Sequence, residues 1–147
     1  MTLEQNKILA RRELEELWSE GNLAVADEIL APNFVSHQHS RPDAQDVHGL
    51  EAYKDFVRQV HEAFPDLHYV LEDQIAEGDK VMTRNVASGT HKGWLMGIKP
   101  TNKRAQWAGI SIDRIEHGKI VENWVSWDMM GMLQQLGVVS LPSQEGR

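Results

Sequence analysis

The stretch "RAQWAGISIDRIEHGKIVENWVSWD", residues 104–128, decides the fold. Two runs rich in Ile, Val and Trp flank "HGK", the composition of a strand, a tight turn and a returning strand. Alternation along 105–115 places Ala105, Trp107, Gly109, Ser111, Asp113 and Ile115 on one side. Gln106, Ala108, Ile110, Ile112 and Arg114 fall on the other. In the second run Val121, Asn123, Val125 and Trp127 form the inward set, with Trp124 on the opposite face. Both faces of the hairpin carry large apolar residues. One should pack on helices. The other should meet a second subunit, for which a homodimer is the simplest arrangement.

After the hairpin, "MMGMLQQLG" reads as a short helix closed by Gly137. Asp128 stands where a side chain can cap that helix. As a carboxylate close to two tryptophans, it is also a candidate acid. Before the hairpin, "LHYVLEDQIAE" and "KVMTRNVASGTHKG" read as two strands joined at "EGD". Three helices come earlier. "TLEQ" fits a capping box of Thr2 and Gln5, followed by Ala10, Leu14, Leu17 and Trp18 on one face. "NLAVADEIL" suggests a second helix capped by Asn22. Residues 50–64 repeat apolar side chains at spacings of three and four. "NFVSHQHS" between them is extended, and 40–49 is a loop. Helices followed by a run of antiparallel strands make an α+β pattern, one domain over 1–137 with a loose tail at 138–147.

A chain of 147 residues can bury a full core. It has no cysteine, which excludes disulfides and thiolate metal sites. The net charge of −7 argues against a nucleic-acid partner, and the one basic run, "KPTNKR" at 99–104, reads as a solvated turn. The apolar runs are too short to span a membrane and no leader pattern opens the chain, so the expectation is a soluble cytoplasmic protein.

Five phrases in order, "AFPDL", "EGDKV", "GTHKGWLMGIKPT", "DRIEHGKIVENW" and "LQQLG", resemble the SnoaL-like polyketide cyclases. These are often labelled ester cyclases and fall within the nuclear transport factor 2-like superfamily. The resemblance covers about residues 5–137. It implies a cone-shaped α+β barrel, in which a curved antiparallel sheet wraps the N-terminal helices around an apolar pocket. It also implies ring closure by an intramolecular aldol reaction with no cofactor and no metal. Relatives in the superfamily include dehydratases, epoxide hydrolases and binding modules, so fold alone does not fix function. The cyclases carry their acid/base aspartate six residues after the turn lysine. Here that count from Lys119 reaches Val125. Where they place a histidine and a glutamine on the preceding strand, this chain has Ser111 and Gly109. His91 matches a family histidine whose role here is to hold its loop.

The remaining polar candidates are few. His37 is the leading acid/base candidate, because imidazole titrates near neutral pH. Opposite an inward Asp113 or Ser111 it could pass a proton. Trp107, Ser111, Asn123 and Trp127 would orient a small hydrophobic ligand bearing one or two oxygens. The same tryptophans suit a plain core equally well. Arg84 either anchors an acidic ligand group or pairs across the sheet with Glu72 or Asp73. His37, His39 and His48 raise a metal site only weakly, since two ligands at this spacing do not make one. Two functions follow: a cofactor-independent enzyme moving protons on a hydrophobic carbonyl or polyketide-like compound, or a non-catalytic dimeric binding module with the same pocket.

Overall fold

In a computed structural model the protein is described over residues 2–140 and at 142. The expected tail therefore lies mostly outside the described residues. Helix α1 (Leu3–Arg12) starts with the reciprocal Thr2–Gln5 capping box and runs into a π-helical segment, Glu13–Ser19. Helix α2 (Ala24–Ile29) is shorter than the sequence suggests and no side chain caps it, so Asn22 contributes only its carbonyl, to Val25. Strand β1 (Leu30–Gln38), the two-residue β2 (Val47–His48) and helix α3 (Leu50–Ala63) follow. Strands β3 (His68–Glu77), β4 (Lys80–Thr90), β5 (Arg104–Glu116) and β6 (Lys119–Trp127) precede the last helix, α4 (Met129–Gln135). No helix among the described residues is long and apolar enough to cross a membrane.

The mixed α+β architecture has one six-stranded sheet in the order β2-β1-β6-β5-β4-β3. It curves without closing, and β2 and β3 are its free edges. Every neighbouring pair is antiparallel except β1 and β6. Register shifts in β1/β6, β3/β4 and β5/β6 supply the bends, since an extra residue on one strand adds local twist. The β5–β6 turn is two residues long, with both His117 and Gly118 at positive φ, as a primed hairpin turn demands.

Burial alternates strictly along β4 and β5. The inward side carries Val81, Thr83, Asn85 and Ala87 together with Ala105, Trp107, Ser111, Asp113 and Ile115. The helices lie on this side, and Leu17, Ile29, Phe34, Tyr53, Val57 and Phe64 complete the core. On β6 the alternation breaks. Ile120 is fully buried, the register slips at Arg114/Ile115, and Asn123 is the next buried residue. The bulge therefore removes Val121 from the inward set expected of it. Asp128 caps α4, its Oδ1 accepting from the Gly131 N–H at 2.8 Å.

Candidate active site

The site is built at the join between the first helix and the hairpin. Glu13 opens the π-helical segment, whose wider turn brings Glu13, Leu14, Leu17 and Trp18 together to the buried side. From α3, Tyr53 reaches the same point. Trp18 Nε1 donates to Tyr53 Oη at 2.8 Å, and Tyr53 Oη donates to Glu13 Oε1 at 2.7 Å. Asn123 Nδ2 donates to the same oxygen at 3.4 Å. Asp113 on β5 lies beside Asn123 in the ladder and interacts directly with Glu13.

This carboxyl pair is almost wholly withdrawn from water, with Glu13 4% and Asp113 1% exposed. Burial is the main cause raising both groups above the ordinary carboxylate range, Asp113 most of all because the Glu13 charge adds to it. Hydrogen bonds with Tyr53 and then Asp113 oppose the shift at Glu13. Asn123 beside it offsets the Asp113 shift only in part, and neither Asp113 oxygen has a hydrogen-bond partner among the described residues. A proton on Asp113 removes that deficit by donating to Glu13. The two groups titrate as a pair, and Asp113, the more strongly raised, holds a proton more readily than Glu13. Burial likewise pushes the phenol of Tyr53 well up, so it stays a donor at neutral pH.

A cavity of about 500 Å³ opens from this pair to the surface. Glu13, Tyr53, Asn85, Ser111, Asn123 and Trp107 line its buried part. Ser111 faces Val125, and Gly109 faces Trp127, across the β5–β6 ladder. A Cβ at Gly109 would stand 3.2 Å from Trp127 Cβ and 3.3 Å from Asn85 Oδ1, so glycine keeps this wall open. The rim comes from the 40–45 loop and from Trp94, Leu95 and Met96. His91 is fully buried and ties the second rim loop down: its Nδ1 accepts from the Thr101 N–H at 3.1 Å, and its own backbone bonds Asn102 and Lys103.

Four of the expected ligand contacts, Trp107, Ser111, Asn123 and Trp127, do line the cavity. Asp113 is inward but sits behind Glu13 rather than on the wall. His37 is not brought to it. Leu30, Phe34 and Ser36 are the fully buried residues of β1, all at even positions, so His37 points to the outer face. There it lies between Asp46 (2.8 Å) and Glu122 (2.7 Å) and stacks on Trp124. The expected approach of His37 to Asp113 or Ser111 therefore does not form. Arg84 is also on the outer face, half exposed and 3.9 Å from Asp73, so of its two readings the cross-sheet pair is the one formed. Glu13 and Tyr53 are the site residues that sequence reasoning missed.

A profile of the SnoaL-like polyketide cyclases matches residues 8–136. The chain belongs to this family. Among solved structures, IdmH of Streptomyces antibioticus, a candidate polyketide cyclase, is 30% identical with a TM-score of 0.78, covering 91% of this chain and 99% of its own. AclR of Streptomyces galilaeus, a candidate hydroxylase, is 25% identical with a TM-score of 0.83, covering 98% and 92%. A candidate SnoaL-like cyclase from Jannaschia sp. CCS1 shares the fold at 24% identity and a TM-score of 0.84, covering 93% and 94%. No curated protein matches. Structures similar to this chain are thus described with more than one chemistry, and the site itself must carry the functional reading.

Proposed function

We propose that this SnoaL-like protein is a cofactor-independent enzyme that moves protons on a hydrophobic carbonyl compound of polyketide-like kind. The observation that carries the reading is the Glu13–Asp113 pair, buried at one end of an aromatic-walled cavity. Glu13 is the acid/base, because it alone of the two reaches the cavity wall. Asp113 keeps the partner proton and holds Glu13 as the anion. A proton leaves the carbon next to the carbonyl for Glu13, and its electron pair passes to the carbonyl oxygen. Asn123, Ser111 and Asn85 line the wall where that oxygen would lie. Returning the proton elsewhere isomerises the substrate, and attack of the enolate on a second carbonyl closes a ring. The aromatic walls lower the polarity around Glu13, which strengthens each polar contact there.

The test needs no natural substrate. Exchange of the α-protons of 4-phenyl-2-butanone in D2O, followed by NMR, should run above the buffer rate and fall on Glu13→Gln. Exchange at the buffer rate with demonstrable ketone binding would instead favour a non-catalytic binding module. Val125 supports that second reading, because it lines the cavity where the cyclases carry their acid.

A further inference from the structure

Eight of the ten aromatic side chains in the protein line this one cavity, and only Phe34 and Trp124 do not. The faces are differently tilted: Trp107 lies 5.1 Å from Phe64 and 5.9 Å from Trp127 between ring centroids, at 52° and 47°. Rings packed on one another at such angles make an angled aromatic wall rather than one flat face. Charge is distributed just as unevenly. Among the described residues no lysine or histidine lines the cavity, and the one arginine that does, Arg41, is at the exposed rim beside Asp43. The buried end holds Glu13 with Asp113 behind it. One more feature is unexplained by the acid pair. Asn123 is 1% exposed and lines the cavity, yet its Oδ1 accepts from nothing among the described residues.

We propose that the cavity selects a hydrophobic ligand carrying a protonated amine, seated among the aromatic faces with its N–H directed at Asn123 Oδ1 and Glu13. Aromatic faces are negative and attract a cation, most strongly when it is removed from water. The acidic end adds charge of the same sign, and the amine supplies the donor that Asn123 lacks. A neutral ligand without an N–H or O–H would stack equally well but would leave Asn123 Oδ1 unpaired. One with such a donor would lack the attraction of the aromatic faces and the acidic end for a cation, and an anion would be repelled. The inference rests on the reading of the cavity as a small-molecule site and narrows its substrate class to hydrophobic amines.

Three probes of similar size separate the charge states: N,N-dimethyl-2-phenylethylamine, 4-phenyl-2-butanone and 3-phenylpropanoate. Binding is read at pH 7 by calorimetry and by quenching of tryptophan fluorescence. The amine should bind about tenfold or more tightly than the ketone, which is 1.4 kcal/mol, and the acid should bind weakest. Glu13→Gln should erase the preference while keeping the ketone affinity. Trp127→Leu, at a half-buried wall position, should lower amine affinity more than ketone affinity. A ketone that binds as tightly as the amine overturns the charge selection and leaves the small-molecule site standing. If none of the three binds, the small-molecule reading falls and this one falls with it.

Discussion

Glu13 and Asp113, a hundred residues apart in sequence, meet as two carboxyl groups in the core with no cation beside them. Both have folded-state pKa values raised by burial. Such groups favour folding fully below their unfolded values near 4, and that contribution is lost as pH rises through the folded values. The native state should therefore weaken steadily above about pH 4 on account of this pair. Asp113→Asn, which keeps the shape and discards the charge, should flatten that slope and raise Tm most at neutral pH. Thermal melts from acid to neutral pH read the slope directly. A variant that melts lower throughout would mean that the pair stabilises the fold.

Tyr53 sits between the indole of Trp18 and the carboxylate of Glu13, accepting from the Trp18 N–H and donating to Glu13. Tyr53→Phe leaves the Trp18 N–H without an acceptor and takes a donor from Glu13. The expected cost is about 1–3 kcal/mol for the buried groups left unpaired. The Glu13 pKa should rise further, so the pH profile of ketone exchange should move to higher pH. Urea unfolding and the exchange profile measure the two effects separately.

The hairpin could be read because its alternation is driven by burial, and Trp107, Ser111, Asn123 and Trp127 reached the cavity on that basis. Val121 escaped because a bulge leaves no mark in composition. Glu13 was hidden by its neighbours Glu15 and Glu16, which make 13–16 look like a solvated face. Yet it lies three residues after Ala10 and four before Leu17, on the apolar stripe itself. His37 was misplaced by its chemistry. Phe34 already sets the even positions of β1 inward, and parity carries His37 out.

Asp128 separates a cap from an acid. Its carboxylate bonds the first turn of α4 and does not line the cavity. Asp128→Ala should cost about 1 kcal/mol of stability, the usual worth of such a cap, and leave ketone exchange unchanged. Loss of exchange in a folded Asp128→Ala protein would return this residue to the chemistry.

On the outer face, Ile110 is 48% exposed, beside the half-buried Ile112 and Met82. We expect a second copy of the chain to cover this strip, making the protein a homodimer. Ile110→Lys should then shift sedimentation from dimer to monomer with the fold retained. A wild-type protein that sediments as a monomer at high concentration would exclude this arrangement.

His37 lies at the border of the same face. Glu122 first, then Asp46, raises its pKa, while His37 and Arg114 lower that of Glu122. The His37 contribution is fully present below its unfolded value near 6.5 and is lost as pH rises through the folded value. The Glu122 contribution is present above its unfolded value near 4.5 and is lost as pH falls through its folded value. The network is thus strongest between about pH 4.5 and 6.5. His37→Gln should cost about 1 kcal/mol or less in that window, since both side chains keep partial contact with water, and less once the imidazole has lost its proton. A double-mutant cycle with Glu122→Gln, run at pH 5.5 and pH 8.5, isolates the pair. Ketone exchange should be untouched by His37→Gln at both values. A fall in exchange with the fold intact would restore His37 as the acid/base and displace Glu13.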